Sequence, residues 1–325
     1  MIISQTPLRV SFFGGGTDFP AYFRAHGGAV LSAAIDKYVF VIVKERFDDD
    51  IYLNYSRKEI VASVDAIQHE LVREAMRATG VTRGVEITTL ADVPSTGTGL
   101  GSSSSVLVGL LHALHAYRGR LVTSAQLAED ACRIEIEALG RPIGRQDQYI
   151  AAYGDLRLID FGPGDAVRVT RVEASGETRA RLAERLMLFF TDRTRDASTI
   201  LADQQHNIPN RLADLHRLKA QAHAGAERLL AGDLDGFGAS LDVAWQTKKA
   251  LASGVTDQGI DTLYARARAA GALGGKITGA GGGGFLMLYA PPFAQDAVRA
   301  AMRPLRELPV RFEVDGSKVI FNIRR

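Results

Sequence analysis

Cysteine is all but missing from this chain. Cys132 is the only thiol in 325 residues, so an intrachain disulfide framework is excluded and a reducing, cytoplasmic setting is expected. Charge of one sign is missing too. The 39 basic and 37 acidic residues are interspersed and leave a formal net charge of +2, which argues against a nucleic-acid partner. No apolar run reaches the ~18 residues that a membrane helix requires. The segment from Met1 to Arg9 has neither a basic n-region nor a long apolar h-region, so neither a leader nor a membrane partner is expected. Seven histidines are scattered without an HExxH pattern, and His112 and His115 are the one pair that a shared helix face would bring together for a metal. The P-loop pattern GxxxxGK[ST] is absent, and GxGxxG fails because position 102 is serine.

What is present is the composition of a soluble globular protein, 46% apolar and 23% charged, with length enough for two domains. Strands are expected over 2–13, 28–45, 51–55 and 84–90, with a helix over 66–78. Amphipathic helices are expected over 103–117, 124–139 and 145–153, then strands over 155–160 and 167–173. Residues 174–180 are polar and lack apolar periodicity, which places a domain boundary there and divides the chain into 1–176 and 177–325. The second part opens with a strand over 186–191. Helices over 195–206, 209–231, 234–250 and 257–270 follow, and then strands over 285–289, 309–315 and 318–322.

Glycine carries the strongest signal. Pro94 to Ser105 is a glycine and serine loop that runs directly into Val106, Leu110, Leu111, Leu114 and Tyr117, which recur at helical spacing. Such a loop delivers free backbone N–H groups at a helix N-terminus, where the macrodipole favours negative charge. Gly97, Gly99 and Gly101 permit positive φ and remove Cβ atoms that would hold an anion away, while Ser102 to Ser105 offer hydroxyls as donors or hard metal ligands. A flexible linker is the competing reading, and the helix that follows at once weighs against it. Gly274 to Gly284 forms a second glycine cluster, best explained by close backbone approach to a ligand.

Phosphoryl transfer also requires carboxylates to hold a metal and to orient the attacking hydroxyl. Glu135 to Gln148 contains Glu135, Glu137 and Asp147, the last following a Gly-Arg-Pro-Ile-Gly turn, where it could equally cap a helix. Arg9 inside an apolar strand and Asp18 just past Gly14, Gly15 and Gly16 are awkward for folding alone, because a buried charge needs a partner; they could pair with each other or cap neighbouring backbone.

Taken together, Pro7 to Phe19, Pro94 to Ser105 and Lys276 to Gly284 resemble the three motifs of the GHMP small-molecule kinases, in that family's order and over nearly the whole chain. The resemblance implies a two-domain α+β fold: a ribosomal-S5-like N-terminal domain, a ferredoxin-like C-terminal domain, and ATP and acceptor in the cleft between them. By the same resemblance Pro94, Gly97, Gly99, Leu100, Gly101, Ser102, Ser103 and Ser104 would hold ATP. Ser103 and Glu135, with Glu137 as the neighbouring alternative, would bind Mg²⁺. Asp147 would be the catalytic aspartate, assisted by Arg9. Gly16, Thr17, Asp18, Thr278, Gly279 and Gly281 would contact the acceptor.

Where galactokinases have Gly-Glu-His-Thr-Asp, this chain has Gly14-Gly-Gly-Thr-Asp18, which leaves room for a larger acceptor. That form, with Arg141 to Gln148 and Trp245 to Lys249, is similar to the D-glycero-D-manno-heptose 7-phosphate kinases. The activity so implied is phosphorylation of an anomeric hydroxyl to a 1,7-bisphosphate that serves nucleotide-activated heptose and surface polysaccharide synthesis. Arg193 and Arg195, with Lys248 and Lys249 behind them, would meet the acceptor's own phosphate. A kinase of L-fucose or another free sugar is the alternative, and a silent sugar sensor on the same fold is the alternative of another class.

Overall fold

The computed structural model describes residues 1–94, 97–193 and 196–323. Two long strands rich in Val, Ile and Phe, β1 (Ile2–Phe13) and β2 (Gly28–Glu45), pair antiparallel and are joined through α1 (Pro20–His26). There follow β3 (Ile51–Asn54), β4 (Lys58–Val61), α2 (Glu70–Thr79), β5 (Val85–Ala91), α3 (Ser102–Tyr117), α4 (Ser124–Cys132), α5 (Gln146–Tyr153), β6 (Leu156–Phe161) and β7 (Val167–Arg171). Strand β2 organises this sheet. Its Val39 to Glu45 stretch pairs with β5, and its Gly28 to Ala33 stretch pairs with β6, so a single strand carries β1 on one edge and two successive partners on the other.

The second half contributes α6 (Gly176–Glu184), β8 (Leu186–Phe190), α7 (Ala197–His206), α8 (Leu212–Leu230), α9 (Leu234–Lys249), α10 (Gln258–Ala269), β9 (Gly274–Ile277), β10 (Phe285–Tyr289), α11 (Gln295–Met302), β11 (Arg306–Leu308) and β12 (Lys318–Asn322). Strands β11, β8, β10 and β9 form an antiparallel sheet in that order. Trp245, Ile260, Tyr264, Leu286, Leu288 and Met302 pack behind it in a second core. Each such side chain contributes roughly 1.5–3 kcal/mol of burial.

Several sequence expectations are corrected here. The polar stretch chosen as a boundary is helix α6, capped by the Ser175 side chain accepting from Thr178 N; only Leu182 among its residues is buried, which is why no apolar period was visible. Residues 309–315 form no strand. Phe312 makes an isolated bridge to Ile35, and Glu313 N donates to Ala34 O at 3.0 Å. The last strand, β12, returns to pair with β1, and α8 packs on β1 and β2. Helix α3 is buried on nearly every side instead of amphipathic, because β1, β2, α2, α4 and α5 surround it. Gly274 and Gly275 lie in strand β9. A Cβ on Gly274 would meet Gly238 O of α9 at 2.2 Å, so glycine there serves close helix packing and not a ligand. β4, β11 and α11 were not anticipated.

Candidate active site

The glycine loop and α3 build the first wall of a cavity of about 730 Å³ that lies between the two sheets' elements. Gly97, Gly99 and Gly101 adopt φ of 73°, 71° and 78°, so the alternating glycines are needed by the backbone itself. Gly101 precedes the first turn of α3, and no side chain among the described residues caps that turn. Its N–H groups therefore remain available beside Ser102, Ser103 and Ser104, which line the cavity. The second glycine cluster clamps this loop from behind. Thr278 Oγ1 donates to Thr98 O at 3.0 Å, Phe285 N donates to the same carbonyl at 3.2 Å, and a Cβ on Gly99 would stand 2.5 Å from Thr278 O.

Beneath the loop, Arg9 and Asp147 form a two-pronged ion pair. Nε and Nη2 of Arg9 donate to Oδ1 and Oδ2 of Asp147, each at 2.8 Å, while Nη1 donates to Gly99 O. Arg9 comes from β1 and is buried, and Asp147 lies in the first turn of α5 with 24% of its side chain exposed to the cavity. Asp147 does not cap α5 and Arg9 does not pair with Asp18; Asp18 instead accepts from neighbouring backbone, at Gly16 N and Gln146 N, as one of the expectations had it. A Cβ on Gly101 would lie 3.4 Å from Asp147 Oδ2, so the carboxylate sits directly against the phosphate-type loop.

Across the cavity the carboxylate of Glu135 is fully buried yet accepts four hydrogen bonds. Ser103 Oγ (2.7 Å) and Arg141 Nη1 (3.2 Å) donate to Oε1, and Ser104 Oγ (2.6 Å) and Gln148 Nε2 (2.7 Å) donate to Oε2. The helix expected over 124–139 ends as α at Cys132 and continues as a wider π turn over Arg133–Ala138. That turn carries Glu135 to the serines and leaves Glu137 exposed. Arg141 Nη1 also donates to Ser103 Oγ at 2.7 Å, so one cation already bridges the two oxygens expected to hold a metal. A hydroxyl and a carboxylate are hard oxygen donors and suit Mg²⁺, whose remaining ligands are ordinarily water and phosphate.

The third wall is made by Asp18, Gly16 and Lys248. Asp18 is buried and accepts from Gly16 N (2.9 Å), Gln146 N (3.2 Å) and Gln146 Nε2 (3.1 Å). Burial, with a smaller contribution from the Asp147 charge, pushes its carboxyl above the usual carboxylate range. Lys248, near the end of α9, donates to Gly279 O at 2.7 Å, and burial pushes its ammonium down to about 8. Lys276 of β9 lies deeper, donates to Phe12 O at 3.4 Å, and is held well below its usual value by burial and by Lys248 and Arg9 nearby.

Not every expected residue reaches the cavity. Thr17 Oγ1 donates to Gly14 O and Ala29 O, and Thr278 Oγ1 to Thr98 O and Phe285 O, so both hold backbone. Leu100 is buried with its carbonyl accepting from Arg9 N, Gly281 packs on Val255, and Pro94 is exposed outside the cavity wall. Arg193 donates twice to Asp257, at 2.7 and 2.8 Å, and does not line the cavity. Arg195 lies outside the described residues. His112 bonds Ser317 and His115 faces Asp130; no cluster of metal-binding type occurs among the described residues. Burial pushes the Cys132 thiol up to about 12, which makes it inert at neutral pH. The sequence reading missed Arg141, Gln146 and Gln148 as site residues and placed Lys248 only behind the site. The run Arg141 to Gln148 is dense in polar donors, which was the available signal.

A model of the GHMP kinases N terminal domain matches residues 62–155, and a model of the GHMP kinases C terminal region matches 226–304. The D-glycero-alpha-D-manno-heptose 7-phosphate kinase of Campylobacter jejuni is 30% identical over 316 residues, 93% of either chain. An L-fucokinase/L-fucose-1-P guanylyltransferase of Bacteroides fragilis is 27% identical across 92% of this chain and 35% of its own length. The crystal structure of a D-glycero-D-manno-heptose 1-phosphate kinase from Bacteroides thetaiotaomicron is similar over 100% of both chains, with a TM-score of 0.83 and 26% identity. No helix among the described residues is long and apolar enough to cross a membrane.

Proposed function

The chain belongs to the GHMP kinases, and from that premise we propose that it transfers the γ-phosphoryl group of ATP to the anomeric hydroxyl of D-glycero-D-manno-heptose 7-phosphate. The observation that carries this reading is the Asp147 carboxylate, held by Arg9 at two points and set against the glycine loop on the cavity floor. A carboxylate so fixed can accept the proton of a hydroxyl placed between it and a phosphate on the loop. The acceptor oxygen forms a bond to the γ-phosphorus, the bond from that phosphorus to the β–γ bridging oxygen breaks, ADP leaves, and Asp147 takes or orients the hydroxyl proton. Arg9 keeps Asp147 in one rotamer and balances its charge.

The backbone N–H groups of Ser102, Ser103 and Ser104 at the start of α3, with the Ser102 hydroxyl, would hold the β and γ oxygens, since the Ser103 and Ser104 hydroxyls donate to Glu135. Ser103 Oγ and Glu135 Oε1, 2.7 Å apart, fit as ligands of Mg²⁺, which when bound neutralises charge on the phosphate oxygens. Binding it there requires Arg141 to release the same two oxygens. Asp18 would accept hydroxyl protons from the sugar. For the acceptor's own phosphate, neither Arg193, which Asp257 already neutralises, nor the first turn of α7, where the Asp196 carboxylate lines the cavity and accepts from Ser198 N at 2.9 Å, supports the reading. Arg195 remains part of the proposal from sequence.

The test is turnover with ATP and Mg²⁺ across a panel of heptose 7-phosphate, L-fucose, galactose and mevalonate, read by mass spectrometry. A 1,7-bisphosphate formed fastest supports the proposal, and a preference for L-fucose 1-phosphate overturns the acceptor assignment while keeping the reaction class. Asp147→Asn should lower kcat by about 10²–10⁴-fold with ATP binding retained; wild-type turnover in that variant removes Asp147 from the mechanism.

A further inference from the structure

Given an acceptor held between Asp18 and the glycine loop, as proposed above, the chain beside Asp18 carries no side chain at Gly15. A Cβ built on Gly15 would stand 3.4 Å from Lys248 Nζ, 3.6 Å from Gln146 Nε2 and 4.0 Å from Ser11 Oγ. Gly14 and Gly16 have positive φ, but Gly15 does not, so backbone conformation does not require glycine at this position. A methyl group there would be in ordinary contact with polar atoms from three parts of the chain, of which Lys248 and Gln146 line the cavity.

Those polar atoms are incompletely partnered. Lys248 is buried, lines the cavity, and has three N–H donors, of which one goes to Gly279 O at 2.7 Å. Ser11 Oγ and Gln146 Oε1 are buried without a hydrogen-bond partner among the described residues. Burying an ammonium, a hydroxyl and an amide oxygen with bonds left unmade costs free energy. A ligand carrying several hydroxyls in the cavity would meet the spare donors of Lys248 beside Gln146.

We propose that Lys248 is a specificity-determining residue of the acceptor pocket, binding a polyhydroxylated sugar in the cavity that it lines with Gly16, Asp18 and Gln146. Its ammonium donates to one ring or side-chain oxygen of the acceptor, and Asp18 accepts the proton of an adjacent hydroxyl. A vicinal diol is thereby bracketed between a donor and an acceptor, with the Gln146 amide fixed to Asp18 Oδ2 at 3.1 Å alongside. An acceptor without adjacent hydroxyls cannot make both contacts.

The test is steady-state kinetics on Lys248→Met, using whichever sugar of the panel the wild type phosphorylates with the highest kcat/KM. A wrong choice of natural acceptor therefore leaves this measurement intact. Losing a charge-assisted hydrogen bond should raise the acceptor KM by about 10- to 100-fold, with the KM for ATP within about twofold. A pH profile separates binding from scaffolding. The groups facing Lys248 are Asp18 in the turn after β1, Arg9 on β1, Asp147 on α5 and Lys276 on β9. Because burial sets the ammonium near 8, wild-type kcat/KM for the acceptor should fall above about pH 8 as its charge is lost, and Lys248→Met should lack that limb.

Gly15→Ala is the second variant, since its methyl group meets nothing closer than Lys248 Nζ at 3.4 Å and should fold normally while crowding the ammonium. It should raise the acceptor KM and leave ATP unaffected. An unchanged acceptor KM in either folded variant overturns the proposal. So does a Lys248→Met enzyme in which both KM values rise together and the alkaline limb persists, the pattern of a purely structural lysine.

Discussion

Substituting alanine for Gly99 tests whether the two glycine motifs act as one phosphate-binding unit. Alanine at φ +71° incurs left-handed strain of about 1 kcal/mol. Its Cβ also falls 2.5 Å from Thr278 O and 2.7 Å from Thr278 Oγ1, well inside van der Waals contact. Relieving that overlap adds roughly 1–3 kcal/mol, because the loop must lift off Thr278 and strain the bonds that Thr278 Oγ1 and Phe285 N make to Thr98 O. Gly80, the C-cap of α2, supplies the control: it has the same φ of +71° and nothing within 4 Å of its built Cβ. Gly80→Ala should therefore show only the strain, a melting temperature lower by roughly 2 °C and unaltered nucleotide binding. Gly99→Ala should carry the extra overlap into the site, and weaken a fluorescent ATP analogue by about 5- to 150-fold in an equilibrium titration. If both variants lose the same stability and neither loses nucleotide affinity, the loop is not docked on Thr278 in the way described.

Arg141→Met removes the cation shared by Ser103 Oγ and the fully buried Glu135, a loss of about 1–3 kcal/mol in metal-free buffer. Melting should fall by a few degrees without Mg²⁺, and the half-saturating Mg²⁺ for turnover should fall as well; an unchanged Mg²⁺ requirement would place the metal elsewhere. Lys276→Met should raise the melting temperature at pH 7, because the buried ammonium is replaced by an apolar chain of similar length. The sign with pH follows from linkage. With the folded value depressed, the unfolded chain binds the extra proton, so wild-type stability climbs with pH until the unfolded value near 10.5 is passed, and the gap between variant and wild type should narrow toward that pH. A gap that stays constant from pH 7 to 10 would show that Lys276 is not the source.

Local chemistry was legible where a rule acts within a few residues. Alternating glycines at 97, 99 and 101 imply positive φ, and a serine run entering an apolar helix implies open N–H groups, whatever the rest of the chain does. Long apolar strands such as 2–13 and 28–45 were equally plain, because β-branched residues concentrate there. Short or exposed elements were not. Helix α6 buries a single residue, and β11 is three residues long, so neither has a period to detect.

The amino-acid sequence by itself determined which residue types this protein could bring to a reaction: a glycine and serine cradle, three carboxylates at 18, 135 and 147, and an arginine in an apolar strand. Only the tertiary structure decided their partners. Arg9 is bound to Asp147, 138 positions away, and not to the nearer Asp18; Lys248 enters the cavity wall from α9 while Arg193 turns to Asp257. A π turn chose Glu135 over Glu137, since one widened turn rotates a side chain through a large part of the helix circumference. The physical reason is common to all of these. Hydrogen-bond and charge pairing are short-ranged in space but indifferent to sequence separation, so a charged residue's partner is set by how β2 gathers its strands and how α8 and α9 pack across them.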